Sequence, residues 1–259
     1  MEINEIKNLL NSSDYSFLKD NPHLNEKVVI LALGGSYAYG TNVATSDIDI
    51  RGCSLNSRQD ILGLSNFEQF VDEKTDTVIY SFNKLIRLLI GCNPNVIEIL
   101  GCKPEHYLYL SATGQELVDN RQLFLSQKAI KSFGGYAIQQ LRKLENSLKN
   151  DDLAARLKDS AHLNKHAMHL IRLYLMCLDI LEKGEIKTYR YNERELLLNI
   201  RNGCFQNEDG SYKPEFFELV ADYEKQLDYA KRNTVLPEHP DMSKIEEFVI
   251  SVNEKAAKL

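Results

Sequence analysis

Asp47 and Asp49 sit one residue apart in the segment GGSYAYGTNVATSDIDIR, residues 34–51. In an extended strand, side chains i and i+2 project to the same side. The two carboxylates then stand together, while Ile48 and Ile50 face the core. Carboxylates a few ångströms apart repel each other, which raises one pKa or destabilises the fold unless a cation lies between them. An oxygen-only donor pair suits Mg²⁺ or Mn²⁺ better than zinc. A D-x-D at a solvated strand end is the plainer reading, and the flanking isoleucines and the upstream turn weigh against it.

That upstream turn is Gly34-Gly35-Ser36, directly after the apolar run KVVILAL. Glycines let the backbone bend sharply and come close to a phosphate. A helix starting near Ser36 would aim its free N–H groups at the same ligand, with the serine hydroxyl as one more donor. A simple strand-to-helix turn capped by Ser36 remains the alternative. The spacing matches neither the Walker nor the Rossmann glycine pattern.

The elements that must hold these groups follow from hydrophobic period. Ile3, Ile6, Leu9 and Leu10 give 3–19 helical spacing, as one helix or two short pieces. Residues 27–35 read as a buried strand, 36–45 as a short helix or turn, and 46–55 as a second strand. FEQFV (67–71), DEK and TDTVIYSF (75–82) predict a hairpin. The run 83–100 begins as an apolar helix, breaks at Gly91 and Asn93-Pro94, and resumes from Pro94. Beyond about residue 112 the strand signals stop and helical spacing takes over, with Pro237 and Pro240 separating the last two helices. A strand-rich half (1–111) followed by a helical half (112–259) predicts an α+β layout with a small mixed sheet.

In combination, GGS, D-I-D eleven residues after the serine, and the following Arg51-Gly52 resemble the DNA polymerase beta-type nucleotidyltransferase superfamily. NPNVIEIL (93–100), KHAMHLIRL (165–173) and LLLNIRNG (196–203) resemble its bacterial RNA-repair-pathway group, so the resemblance spans roughly 30–240. It implies a nucleotidyltransferase core over 1–111 and a helical C-terminal domain over 112–259. It also implies a third carboxylate on a neighbouring strand. Asp76, opening DTVIYSF, is the candidate, with Asp72 and Glu73 nearer the turn as alternatives. Asp76 would help hold the metal and accept a proton from the attacking hydroxyl. Arg51 would steady the triphosphate or form a surface ion pair.

In the helical half, Lys165, His169 and Arg172 fall at i, i+4 and i+7, one helix face. They are either a solvated cationic stripe or ligands for nucleotide phosphates or an acceptor nucleic acid. A zinc role for His162, His166 and His169 lacks a Glu or Cys partner at matching spacing. Asn93 caps the helix begun by Pro94. Glu98 faces the site or water, and Arg201 is a phosphate ligand or a favourable charge at a helix C-terminus.

The composition fits this reading. Of 259 residues, 43% are hydrophobic and 26% charged, with no run approaching a membrane span. The N-terminus MEINEIKNLL does not look like a signal peptide, so the cytoplasm is the expected location. Five cysteines without C-x-x-C spacing point to reduced structural thiols. The net charge of −6 argues against indiscriminate nucleic-acid binding, yet residues 121–175 carry ten Lys or Arg against four Asp or Glu. Two functions follow. One is an Mg²⁺- or Mn²⁺-dependent transfer of a nucleoside monophosphate from a nucleoside triphosphate to a hydroxyl, with tRNA or another RNA end among the acceptors that the basic stretch permits. The other is a non-catalytic nucleotide- or RNA-binding module that keeps the fold.

Overall fold

The apolar run after residue 27 forms β1 (Val28–Leu33) of a five-stranded sheet in the computed structural model, which describes residues 1–148 and 153–258. Upstream, the first helical segment divides into α1 (Ile3–Leu9), a 3-10 turn, and α2 (Phe17–Asp20). The Gly-Gly turn leads into α3 (Gly35–Tyr39), and the aspartate segment into β2 (Ile50–Ser54). The predicted strand over 46–55 thus starts later than its alternating pattern suggests, leaving both aspartates just ahead of it. Next comes α4 (Arg58–Leu62), closed by a capping box in which Ser57 and Asp60 satisfy each other's backbone N–H.

The predicted hairpin forms as β3 (Gln69–Asp72) and β4 (Thr77–Ser81), paired antiparallel. Ser81 caps α5 (Phe82–Ile90) by accepting from the Lys84 N–H. The helix stops at Gly91, and Asn93 with Pro94 starts α6 (Pro94–Ile97), as the breaker residues predict. One strand was not legible: β5 (Tyr107–Leu110), only four residues long and close behind Pro104. It is followed by α7 (Ala112–Asp119).

The sheet order is β3-β4-β2-β1-β5, with β2 and β4 parallel and the other pairs antiparallel. This is the small mixed sheet expected. Leu31, Ile50 and Ile79 on the strands pack with Tyr15 and Leu24, and Leu9, Leu10 and Phe17 close over them. The N-terminal segment is therefore a lid on one sheet face, held by apolar burial of about 25 cal/mol per Å².

These elements belong to a first unit of Met1–Leu125, Lys187–Tyr189 and Pro240–Leu259; the second unit is Ser126–Ile186 with Arg190–His239. The second unit is helical: α8 (Lys128–Leu148), α9 (Leu153–Leu178), α10 (Arg194–Arg201) and α11 (Pro214–Asn233), with α9 packed against the other three. Its core along α9 includes Leu163, Ala167, Leu170, Ile171 and Tyr174, all buried. The final helix α12 (Met242–Ala256) returns to the first unit, where Asn253 donates to Asn83. The α+β class follows directly. All five cysteines are free thiols. Among the described residues no helix is long and apolar enough to cross a membrane.

Candidate active site

Register builds the site. β2 and β4 run parallel with Ile50 opposite Thr77. The residues just before them, Asp49 and Asp76, therefore stand side by side at the start of two neighbouring strands. The Ile50 N–H donates to the Asp76 carbonyl at 3.1 Å, which closes the ladder at that end.

Asp76 takes this position with a left-handed backbone, φ 43°, which is uncommon for a residue with a side chain. The hairpin turn forces it. Asp72 Oδ2 accepts from the Thr75 N–H at 2.9 Å and the Thr75 hydroxyl at 2.7 Å, tying the turn internally. Of the three acidic candidates in this loop, Asp72 is engaged in the turn and Glu73 is exposed. Asp76 is the one set against Asp49.

Asp49 is held from the other side by the glycine turn. The Gly34 N–H donates to the Asp49 carbonyl at 2.8 Å, extending the β1–β2 pairing beyond both strands. Gly35 has φ 50°, and a Cβ there would lie 2.6 Å from Asp49 Cγ and nearer still to one carboxylate oxygen. The turn is thus shaped around this carboxylate.

Burial raises the Asp49 pKa first. A hydrogen bond with Asp76 and the charges of Asp76 and Glu98 raise it further, against the lowering pull of Arg51, and the group reaches about 7. The Arg51 guanidinium reaches both carboxylates: Nη1 donates to Asp76 Oδ1 at 3.1 Å and Nη2 to Asp49 Oδ1 at 3.3 Å. Nη1 also donates to the carbonyls of Asp76 at 2.7 Å and Ile50 at 3.0 Å. Of the two expectations for Arg51, these bonds match an ion pair, one inside the site rather than on the open surface.

Asp47 is exposed. It lines an open cleft of about 550 Å³ with Asp76, Ser46, Glu73 and Lys74 on one side and Leu9, Ser12, Asp14 and Tyr15 on the other. The contribution of residues 9–15 to this cleft was missed in the sequence. Nothing local marks it, because it depends on Leu9 and Tyr15 packing against the distant strand residues Leu31, Ile50 and Ile79; the Lys74–Asp14 ion pair at 2.6 Å, sixty positions apart, adds a surface contact. Glu98 is buried beneath the site, accepting from the Tyr39 hydroxyl at 2.8 Å, while its carbonyl accepts from the Thr188 hydroxyl at 2.7 Å.

The donor chemistry here fits a hard divalent cation. Asp49 and Asp76 offer carboxylate oxygens within hydrogen-bond reach of each other, and a cation would offset the burial and the neighbouring negative charge that lift Asp49. Among the described residues, no three His, Cys, Asp or Glu side chains are gathered into a ready metal cage. Ser36 is half-buried beside Gly35 at the start of α3.

Lys165, His169 and Arg172 lie on α9, in the second unit. Their shared face runs from water into the interior: Lys165 is exposed, whereas Arg172 is only 7% exposed. His169 rests on the Tyr136 ring at 5.0 Å, with its Nε2 buried and without a hydrogen-bond partner. Burial, then the charges of Arg172, His166 and Lys143, push the His169 pKa down to about 3. Arg172 also lowers the pKa of Arg201, after burial, so Arg172 and Arg201 form one positive neighbourhood around a neutral His169 ring. His166 Nδ1 pairs with Gln140 Oε1 at 2.7 Å, and His162 with Asp159 at 3.3 Å.

Comparison with known proteins places the chain in a family. Residues 7–251 match the RNA repair pathway DNA polymerase beta family. Among solved structures, the chain is similar to a nucleotidyltransferase-like protein from Exiguobacterium sibiricum 255-15. Identity is 9% over 96% of this chain and 80% of that one, with a TM-score of 0.29. Comparison with the curated proteins finds no match. With the family matched along nearly its whole length, the chain belongs to the RNA repair pathway DNA polymerase beta family.

Proposed function

We propose that this protein transfers a nucleoside monophosphate from a nucleoside triphosphate to a hydroxyl acceptor and releases pyrophosphate. The observation that carries this reading is the pairing of Asp49 with Asp76 at the start of two parallel strands, under a glycine turn shaped around Asp49. Family membership supports the reaction class.

Asp47, Asp49 and Asp76 would hold Mg²⁺ or Mn²⁺. When bound, the cation would neutralise charge building on the attacking and leaving oxygens. Gly35 and Ser36 offer a close backbone approach for the β- and γ-phosphates. The acceptor oxygen forms a bond to the α-phosphorus as the bond to the β-phosphate bridging oxygen breaks. The acceptor proton passes to Asp76, which is exposed to the cleft and within reach of an entering hydroxyl. Lys165, exposed on α9, is proposed to contact phosphates of the acceptor, with His169 and Arg172 behind it on the same helix face.

An RNA end, such as that of tRNA or a broken RNA, is the proposed acceptor class. The family's description supports it, as does the basic stretch 121–175. The test is incubation with each α-labelled nucleoside triphosphate, Mg²⁺ and total cellular RNA, with protein and metabolite fractions alongside. Label entering RNA with matching pyrophosphate release is expected. Tight nucleotide binding that ignores Mg²⁺ and releases no pyrophosphate would overturn the reading in favour of a binding module.

A further inference from the structure

We infer that Arg51 is the resident counter-cation of the Asp49–Asp76 pair, holding the two carboxylates together in the metal-free protein and yielding their charge to a divalent cation on loading. The inference rests on the metal-dependent reading above.

The geometry carries it. One guanidinium donates to both carboxylates through separate nitrogens, at 3.1 Å to Asp76 and 3.3 Å to Asp49. Two further bonds, to the Asp76 and Ile50 carbonyls, fix the group at the head of the β2–β4 ladder. The side chain is 19% exposed, and those of Asp49 and Asp76 are 21% and 53% exposed. This bridge is therefore sheltered on the Asp49 side and open to water on the Asp76 side. The planar fork suits it for bridging, since its N–H groups diverge to reach two acceptors at once, whereas a lysine ammonium presents a point charge. A cation entering between the carboxylates meets a positive group already at their oxygens. Arg51 therefore weakens metal affinity while stabilising the empty site.

The test uses the full chain with Mn²⁺ alone as the probe, free Mn²⁺ being read by electron paramagnetic resonance, with thermal melts in EDTA alongside. Arg51→Met is expected to melt at a lower temperature in EDTA yet bind Mn²⁺ about tenfold more tightly or better, because a like charge a few ångströms from the ion has gone. Arg51→Lys is expected to fall between Arg51→Met and the parent in both readouts. In an Asp49→Asn background, Arg51→Met is expected to cost less stability and to bring no gain in Mn²⁺ affinity. A side chain that merely props the fold would not raise affinity when removed, so unchanged or weaker Mn²⁺ binding in Arg51→Met overturns the inference. Mn²⁺ binding that survives unchanged in Asp47→Asn, Asp49→Asn and Asp76→Asn overturns the metal reading itself, and the hand-over with it. The two failures are distinguishable, because the first leaves the aspartate variants metal-deficient.

Discussion

Gly35 and Asp49 fit one another: the space a Cβ would take at Gly35 is filled by the Asp49 carboxylate. The φ of 50° at Gly35 adds a second constraint, since a side chain in the left-handed region costs about 1–2 kcal/mol. Gly35→Ala is therefore expected to destabilise the protein by about 2–3 kcal/mol, measured by urea unfolding. Pairing it with Asp49→Ala removes the steric part, so the double variant should recover a substantial share of the loss. A strictly additive double variant would refute the contact.

The carboxylates themselves should separate stability from activity. The Asp49 pKa, raised mainly by burial to about 7, means the unfolded chain ionises this group earlier than the fold does. Stability in EDTA should then fall as pH rises from about 4 to about 7. Asp49→Asn removes that slope, so it is expected to melt at a higher temperature than the parent at pH 8 while losing nucleotidyl transfer. Asp47→Ala, Asp49→Ala and Asp76→Ala should each lower transfer by about a thousandfold or more with circular dichroism unchanged. Retained transfer in any of the three removes that residue from the proposed site.

The Tyr39–Glu98 bond gives a third measurement. The tyrosine hydroxyl donates to a carboxylate that is only 8% exposed. Hydrogen bonds to charged groups are worth about 1.5–3 kcal/mol. Tyr39→Phe is expected to lose an amount in that range in chemical denaturation, and less when Glu98 is already Gln. Equal losses in both backgrounds would show that the bond contributes nothing of its own.

What the sequence made legible was local. The alternation at Ile48 and Ile50, the glycine pair and the Asn93-Pro94 break each act within a few residues, and each marks its element. Asp76 was readable as a candidate because it opens a strand, but not its meeting with Asp49, which depends on the parallel β2–β4 register. The role of Arg51 was hidden for the same reason: adjacency to Asp49 is visible, a bridge to a residue 25 positions away is not. Asp72 stood as an alternative to Asp76, and its bonds to Thr75 tie it into the turn instead. The α9 stripe had the right period, yet periodicity reports which residues share a face, not how deeply that face is buried. Arg172 is buried and His169 half-buried where Lys165 stays in water.

That burial makes His169 a source of acid sensitivity. Its pKa in the fold is lowered to about 3, chiefly by burial, from an ordinary value of 6.5. The neutral ring is accommodated at no proton cost above pH 6.5. Below that the unfolded chain takes up a proton that the fold refuses, so stability falls by about 1.4 kcal/mol per pH unit until the folded value is reached. The His169→Gln variant has no ring to protonate and should show a flatter decline between pH 6.5 and 4, read from urea midpoints at half-unit steps. Because Arg172 and Lys143 lie among the groups that keep the ring neutral, Lys143→Gln should raise the His169 pKa, followed by the ring's carbon-bound proton signals in nuclear magnetic resonance. Parallel pH profiles for the parent and His169→Gln would place the acid sensitivity elsewhere in the chain.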